Sequence, residues 1–335
     1  MNKWLIYPLT FLIAAGLSAW LTPRVRAAAV RFGIVDCPDG RLKAHREPTP
    51  YLGGLAISLA FLLTLSLVIV EFDREVVGML LAGSIVVILG LLDDMGQLGP
   101  WTKLSGQLVA VLVLLKSGIY IQLTFIPDYL ALPLSALWLL AVTNAFNLID
   151  IMDGLACGTA SVAALILLVF AHLDGAFQSA TLLACLAGAC LGFLGFNFEP
   201  AKIFMGDTGS MFLGLLLGAL AMNVSYTEAN RLAALSPALI LGVPLFDMLF
   251  VMYIRRRRGL PVMLGSPDHV ALRLRKWRWT TRQTVLASYA ATAFLGGAAL
   301  TMSLVPLPGA GVVLGVVAVV ALIVAILLKR IDMTL

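Results

Sequence analysis

The sequence has little charge and few of the side chains that bind soft metals. Asp, Glu, Lys and Arg make up 12% of its 335 residues, whereas soluble domains reach about 25%. A globular protein of this size would lack the polar surface that it needs, so the composition excludes a soluble fold. The four cysteines form no CxxC pair and there are three histidines, so we assign no redox or zinc motif. The sequence also shows no repeat and no low-complexity segment.

Long apolar runs are what the sequence has instead. Hydrophobic residues make up 61% of the chain, and the mean hydropathy is +0.99. A helix needs about 20 apolar residues to cross the hydrocarbon core of a bilayer. Eleven segments approach that length: 4–21, 52–70, 76–92, 104–121, 130–148, 155–172, 180–196, 210–224, 235–254, 284–304 and 311–328. We therefore predict an all-α polytopic membrane protein with eleven transmembrane helices, forming a single integral-membrane domain over residues 1–335.

Basic residues alternate between the predicted loops. Nineteen of the 23 lysines and arginines lie in every second loop, and the other four are Lys3, Arg74, Lys116 and Arg231. Cytoplasmic loops of membrane proteins carry the excess of Lys and Arg. The pattern predicts an N-terminus outside the membrane and a C-terminus in the cytoplasm, and it places the acidic motifs described next on the cytoplasmic side.

Five aspartates lie at the ends of apolar runs. Asp93 and Asp94 end one run, Asp150 and Asp153 end another, and Asp207 precedes a third. A carboxylate at membrane depth costs about 2.5–3.5 kcal/mol on insertion scales, so it is usually functional. A single such residue would be read as a solvated helix end. Acids on three separate helices, all on one side, predict one polyanionic or metal-bearing site.

The segment around Asp150 has a three-residue spacing. Asn144, Asn147, Asp150 and Asp153 recur at i, i+3 in an otherwise apolar sequence, and this spacing stacks side chains on one helix face. A polar stripe can also join two helices by hydrogen bonds. Two carboxylates are more than such a contact needs, so the stripe favours a functional site.

The segment around Asp207 reads Phe-Met-Gly-Asp-Thr-Gly-Ser and opens an apolar helix. Glycines permit a tight turn, and a helix N-terminus favours anions. Asp207 could simply cap that helix. With Lys202 and Phe204 beside it, the turn instead predicts a nucleotide site with a metal ligand, a phosphate-facing N-terminus and an aromatic face for a base.

Two predicted cytoplasmic loops combine histidine with other basic residues. Lys43 and His45 precede a P-x-P-x-x-G-G turn, and His269 is followed by Arg273 and Arg275. These side chains suit phosphate oxygens. The alternative interpretation is the ordinary basic charge of cytoplasmic loops.

Taken in order, these motifs resemble the polyprenyl-phosphate N-acetylhexosamine-1-phosphate transferase family, and the resemblance covers essentially the whole chain. The residues that carry it are the DD pair, the N-x-x-N-x-x-D-x-x-D-G segment, the G-D-T-G-S turn and the late loop with His269. Family sequences commonly have Gly where Ile151 stands, and further histidines where Ala271 and Leu272 stand.

The resemblance implies roles for individual residues. Asp207 resembles the Mg²⁺ ligand, with Asp94 as a second ligand and Mn²⁺ as an alternative ion. Asp93 and Asp94 resemble the pair that handles the lipid phosphate, and Phe204 an aromatic that stacks on uracil. The implied catalytic residues are Asp93, Asp94, Asp150, Asp153 and His269. The implied substrate-binding residues are Lys43, His45, Asn144, Asn147, Lys202, Phe204, Arg273 and Arg275.

The resemblance also implies a reaction and its partners. We expect transfer of N-acetylglucosamine 1-phosphate from a UDP-sugar to undecaprenyl phosphate, in a bacterial inner membrane with the site facing the cytoplasm. Another UDP-N-acetyl amino sugar or UDP-N-acetylmuramoyl-pentapeptide is an alternative donor. Direct attack and a covalent aspartyl intermediate both stay open, as does a homodimer, and no nucleic acid is expected. Outside the family, the alternatives are an intramembrane prenyltransferase and an ion-coupled transporter.

Overall fold

The computed structural model describes residues 3–36, 48–96, 98–261 and 266–333. Within these ranges the regular secondary structure is helical, apart from one short antiparallel pair of strands, β1 (Val35–Asp36) and β2 (Thr49–Pro50). The helices are α1 Lys3–Arg31, α2 Gly53–Val68, α3 Arg74–Asp94, α4 Pro100–Lys116, α5 Asp128–Ile149, α6 Leu155–Leu173, α7 Phe177–Asn197, α8 Gly206–Met222, α9 Ser236–Ile240, α10 Gly242–Arg257, α11 Val270–Lys276, α12 Thr281–Leu304 and α13 Leu307–Lys329.

The all-α prediction is confirmed, but the number of spans is not. Each of the eleven predicted segments coincides with a helix or a pair of helices. In the part of the chain that the structure describes, seven helices are long and apolar enough to cross a membrane: α1, α3, α5, α6, α7, α12 and α13. An eighth span results if the bent pair 231–240 and 242–257 counts as one. Helices α2, α4 and α8 have 16 or 17 residues and fall short of that length. The orientation of the termini stays a prediction.

The described residues divide into two compact units, one that ends at Val224 and one that begins at Ser225. The single integral-membrane domain stays a prediction. In the first unit, two glycines of α7 let α1 approach closely. A Cβ atom on Gly188 would lie 2.2 Å from the Phe11 carbonyl oxygen, and one on Gly192 would lie 2.2 Å from that of Ala15. Small residues four apart allow this kind of helix contact in membranes.

Glycines also set the position of α8 between α2 and α3. A Cβ atom on Gly54 would lie 2.0 Å from the backbone nitrogen of Gly209, and one on Gly90 would lie 2.4 Å from the Cα atom of Thr208. The backbone N–H groups of Gly53 and Gly54 donate to the carbonyls of Phe204 and Met205. The first turn of α8 is therefore fixed by close backbone contact on two sides.

In the second unit, the predicted span 235–254 is broken. A 3₁₀ turn (Arg231–Leu235) and α9 meet α10 at an angle of 78°. Pro244 lacks the N–H group that would continue the α9 hydrogen-bond ladder, which is a common cause of such a break. Farther along, Arg273 of α11 is buried and donates to the carbonyls of Leu328 and Ile331, so it anchors the C-terminal end of α13.

Candidate active site

A single lysine joins the ends of three helices. Lys103 lies in the first turn of α4, and its Nζ atom is 2.8 Å from Asp93 Oδ2 and 2.9 Å from Asn147 Oδ1. It also forms an ion pair with Asp207. Asp93 lies at the end of α3, Asn147 near the end of α5 and Asp207 at the start of α8. These helix ends therefore meet at one ammonium group. The Lys103 side chain that carries it is 18% exposed.

Asn147 holds the carboxylate of Asp207 in place. Its Nδ2 atom donates to Asp207 Oδ1 at 2.7 Å and to the Ser210 hydroxyl at 3.0 Å. The other oxygen of Asp207 pairs with Lys103. The Asp207 side chain is nevertheless 32% exposed. A carboxylate that is fixed on both oxygens and still reachable from solvent is suited to bind a ligand.

Asp94 caps α8 from a different helix. Its Oδ1 atom accepts from the Asp207 backbone N–H at 2.7 Å, and its Oδ2 atom accepts from the N–H and hydroxyl of Thr208 at 3.2 and 2.6 Å. A helix N-terminus stabilises a carboxylate in this way through its free N–H groups and its dipole. The sequence suggested that this N-terminus binds a substrate phosphate, but Asp94 occupies the N–H groups of Asp207 and Thr208.

Asp150 completes the cap, but it does not lie on the predicted helical stripe. Helix α5 ends at Ile149, and Asp150 has φ −78° and ψ 53°, outside the helical region. The backbone N–H of Gly206 donates to its carboxylate. Burial, together with the neighbouring carboxylates of Asp207 and Asp94, raises the pKa of Asp150 well above its usual value. The polar stripe therefore extends along the helix only as far as Asn147.

Asp153 accepts a hydrogen bond from the segment that leads into α8. Its Oδ2 atom accepts from the backbone N–H of Ala201 at 2.9 Å. Beside it, the buried Asn197 accepts from the Gly154 N–H and donates to the Ile203 carbonyl, both at 3.0 Å. These bonds tie the turn before α6 to the segment that carries Phe204. Asp153 thus has a clear scaffold contact, and its catalytic role stays a prediction.

The remaining predicted residues of this unit have different environments. Phe204 is half-buried and its ring centroid is 6.0 Å from that of Tyr51, while the Lys202 side chain is exposed. Asn144 forms a reciprocal amide pair with Gln107 of α4, which is the helix-joining role that the sequence left open. Lys43 and His45 lie outside the described residues.

In the second unit, two buried acids lie beside His269: Asp247 on α10 and Asp268 in the segment before α11. His269 Nδ1 lies 2.6 Å from Asp247 Oδ2. Asp268 pairs with Arg273 at 2.6 Å. The donors of Arg273 serve Asp268 and the end of α13, which is a structural contact, and its role in substrate binding stays a prediction. Arg275 is exposed and bonds to the Trp279 carbonyl.

Sequence reasoning missed two residues that the geometry places at the centre of these clusters. Lys103 is one of the nineteen basic residues in the predicted cytoplasmic loops, and it is the single one of its loop, close to the Asp93–Asp94 pair. Asp247 lies within the predicted span 235–254. Its signal was available, since a carboxylate inside a predicted span is itself a reason to suspect function.

The oxygen donors around Lys103 fit a hard divalent cation. Oxygens of Asp93, Asp207 and Asn147 already converge on one positive charge. Mg²⁺ prefers oxygen ligands and is commonly held by one or two carboxylates together with substrate phosphates. Asp207 and Asp93 are the carboxylates that would hold it.

Metal binding by Asp94 stays a prediction. Both of its oxygens accept hydrogen bonds from the first turn of α8. Within residues 3–36, 48–96, 98–261 and 266–333, no group of three or more His, Cys, Asp or Glu side chains forms a metal site.

Comparisons with known proteins identify the family of the chain. The profile of glycosyl transferase family 4 matches residues 76–225. A probable undecaprenyl-phosphate N-acetylglucosaminyl 1-phosphate transferase of Bacillus subtilis strain 168 is 33% identical over 277 residues, which cover 80% of this chain and 77% of the relative. The chain belongs to glycosyl transferase family 4. The matched region contains all five aspartates and Lys103, while Asp247 and His269 lie outside it.

Other relatives of this family 4 transferase carry two kinds of name. A decaprenyl-phosphate N-acetylglucosaminephosphotransferase of Mycolicibacterium smegmatis is 34% identical over 359 aligned positions, with 95% of this chain and 88% of the relative covered. A phospho-N-acetylmuramoyl-pentapeptide-transferase of Heliobacterium modesticaldum is 33% identical, with 84% and 92% covered. Bacterial relatives and several membrane-length helices identify the family 4 transferase as a multi-pass bacterial membrane protein.

Lys103→Met is expected to lower turnover by roughly 100-fold, the usual loss when one preorganised electrostatic donor is removed. Without the ammonium group, the carboxylates of Asp93 and Asp207 face each other with no compensating charge. Initial rates of the transferase reaction, measured on the purified protein in detergent, check this expectation. The thermal unfolding midpoint is measured on the same sample. Lys116→Met, at the other end of the same helix, is the matched control. Wild-type turnover in Lys103→Met would contradict a contribution of this lysine to catalysis.

Proposed function

We propose that this protein transfers N-acetylglucosamine 1-phosphate from UDP-N-acetylglucosamine to undecaprenyl phosphate and releases UMP. The observation that carries the proposal is the meeting of Asp93, Asn147 and Asp207 at one cation, beside a helix N-terminus that Asp94 and Asp150 hold. This arrangement can neutralise and align two phosphorylated substrates. The names of the Bacillus and Mycolicibacterium relatives support the same donor sugar.

The chemistry is a displacement at phosphorus. A phosphate oxygen of the lipid carrier forms a bond to the β-phosphorus of the donor, the phosphorus that bears the sugar. The bond from that phosphorus to the bridging oxygen breaks, and the electron pair leaves with UMP. A phosphate monoester is mostly dianionic at pH 7, because its second pKa is near 6. The attacking group therefore needs little help from a base, and the main obstacle is repulsion between two polyanions.

The residues of the site address that repulsion. Lys103 places a positive charge between three helix ends, where it offsets the negative charge of Asp93 and Asp207. Asp94 and Thr208 keep the first turn of α8 from moving, which holds Asp207 in position. Such preorganised charge is usually the largest contribution to catalysis of this type. Asp93 is the carboxylate placed to orient the incoming lipid phosphate, or to attack first if the reaction is a double displacement.

The proposed cofactor is Mg²⁺, with Mn²⁺ as the alternative. Asp207 and Asp93 would hold it, and it would neutralise charge on the diphosphate of the donor. Oxygen ligands and the shortage of histidine favour these ions over Zn²⁺. We also propose that the site faces the cytoplasm from the inner membrane, because 19 of the 23 basic residues lie in the same set of loops as the five aspartates.

The test is release of UMP by purified protein given Mg²⁺, undecaprenyl phosphate and a panel of UDP-sugars. We expect UMP from UDP-N-acetylglucosamine, with a product that carries both the sugar and the lipid. Omission of the lipid or addition of a chelator should stop the reaction. The panel includes UDP-N-acetylmuramoyl-pentapeptide, since the Heliobacterium relative is named for that group. A protein that releases UMP only with the pentapeptide donor would replace the proposed sugar. No UMP with any donor would refute the transferase proposal.

A further inference from the structure

His269 is held by a buried carboxylate that the sequence motifs do not include. Asp247 lies on α10, and His269 directly precedes α11. The distance from His269 Nδ1 to Asp247 Oδ2 is 2.6 Å, and the side chains are only 4% and 7% exposed. The other oxygen of Asp247 accepts from the backbone N–H of Val270, also at 2.6 Å. One carboxylate therefore holds the ring and the backbone of the same loop.

This contact decides which nitrogen of the ring carries the proton. An ionised carboxylate only accepts hydrogen bonds, so Nδ1 of His269 must donate to it. In neutral imidazole the remaining nitrogen, Nε2, then has a free lone pair. The Val270 N–H fixes the second oxygen and thereby prevents the carboxylate from rotating away. Asp247 thus sets both the tautomer and the orientation of the ring.

We infer that Asp247 is the positioning residue for His269 in the transfer reaction. It keeps the proton on Nδ1, so that Nε2 is the nitrogen available to exchange a proton with a phosphate oxygen of the substrates. The inference rests on the proposed function and on the catalytic role that the family resemblance implies for His269. No bond to phosphorus involves either residue. The proton that Nε2 accepts or returns is exchanged with a phosphate oxygen, so the overall reaction is unchanged.

Asp268, the residue before His269, has different partners from Asp247. Asp268 accepts from Arg273 at 2.6 Å, from Arg258 at 3.1 Å and from Ser266 at 3.1 Å. These partners join the loop to α10 and α11. Asp268 is therefore a scaffold carboxylate, while Asp247 contacts the imidazole. A substitution at each should separate loss of stability from loss of histidine orientation.

The deciding experiment combines Asp247→Asn with nitrogen NMR of histidine. In the variant, the amide oxygen can still accept from Val270, but the amide nitrogen donates to the ring, so the proton should move to Nε2. Protein labelled with ¹⁵N-histidine has three histidines, and His269→Gln assigns the signal. We expect the Nδ1–H form in wild type and the Nε2–H form in Asp247→Asn. The UMP release rate should fall several-fold below about pH 6, where the lipid phosphate carries a proton that Nε2 would accept, with little change in KM.

Control variants make the outcome specific. Asp268→Asn should lower the thermal midpoint but leave the tautomer as in wild type. Asp247→Asn combined with His269→Gln should be no slower than His269→Gln alone, because residues that act as a unit are not additive. An unchanged tautomer in Asp247→Asn, or multiplied losses in the double variant, would overturn the inference. If His269→Gln retains full activity, the inference also fails while the transferase proposal stands. If wild type releases no UMP, the transferase proposal itself fails.

Discussion

Asp207→Asn is expected to abolish turnover, with a loss of roughly a thousandfold or more in the UMP release rate. The substitution keeps the size of the side chain but removes the charge that pairs with Lys103 and would bind Mg²⁺. Removal of one preorganised donor costs about 10²–10³, and here a cation ligand and an ion pair are lost together. Rates measured over a range of Mg²⁺ concentrations check the result, because added metal should not restore activity.

The control for this prediction is Asp128→Asn. Asp128 is an exposed aspartate in the first turn of α5, at the opposite end of that helix from Asn147. It should keep wild-type turnover and wild-type metal dependence. Near-wild-type UMP release by Asp207→Asn in the presence of Mg²⁺ would remove the metal assignment. A thermal midpoint close to that of wild type would show that the loss comes from the site and not from unfolding.

The acidic part of the site could be predicted from sequence because the boundaries of apolar runs mark depth in a membrane. Asp93, Asp150 and Asp207 each end or precede such a run, so all were expected at one face. In the structure, Asp93 and Asp207 pair with the same lysine, and Asp150 accepts a hydrogen bond from the backbone N–H of Gly206. The family resemblance added roles, but the grouping itself follows from hydrophobicity.

The contacts between these residues could not be predicted, because they join distant segments. Asp94 and the N–H of Asp207 are 113 positions apart, and no local pattern shows that one carboxylate caps the other's helix. The extent of the stripe was also wrong, since a three-residue spacing does not reveal that α5 ends at Ile149. Hydrophobic runs likewise predicted a span over 235–254, although Pro244 makes a break there understandable.

The electrostatic arrangement explains why so many acids coexist at one place. Four of the acids are distributed over three positive partners: Asp93 and Asp207 share Lys103, Asp94 has the first turn of α8, and Asp150 has the Gly206 N–H. A partial positive charge at a helix N-terminus stabilises a nearby carboxylate. Two carboxylates are thus committed to holding α8, while the other two stay available for a cation. This division of roles depends on how closely α8 approaches its neighbours.

Gly90→Ala should therefore damage the site without changing any polar group. The added Cβ atom would lie 2.4 Å from the Cα atom of Thr208 and 2.5 Å from its nitrogen. Backbone atoms cannot move aside as a flexible side chain can, so α8 must shift away from α3. Overpacking of this kind costs about 1–3 kcal/mol. A shift of about 1 Å can lower a rate roughly 100-fold. Denaturation of the purified protein and UMP release rates measure the two effects.

Gly83→Ala is the matched control, seven positions earlier on α3 and also buried. Its Cβ atom would lie 3.1 Å from the Phe212 ring and 3.9 Å from the Leu216 side chain, and these side chains can move by a few tenths of an ångström. Alanine also favours a helix over glycine by about 1 kcal/mol, so this variant should be near neutral in both measurements. Alanine at Gly90 gains the same helix propensity. Gly90→Ala is therefore destabilising only if its clash with the Thr208 backbone costs more free energy than this gain. Equal stability and equal turnover in the two variants would show that the closeness of α3 and α8 does not hold Asp207 in position.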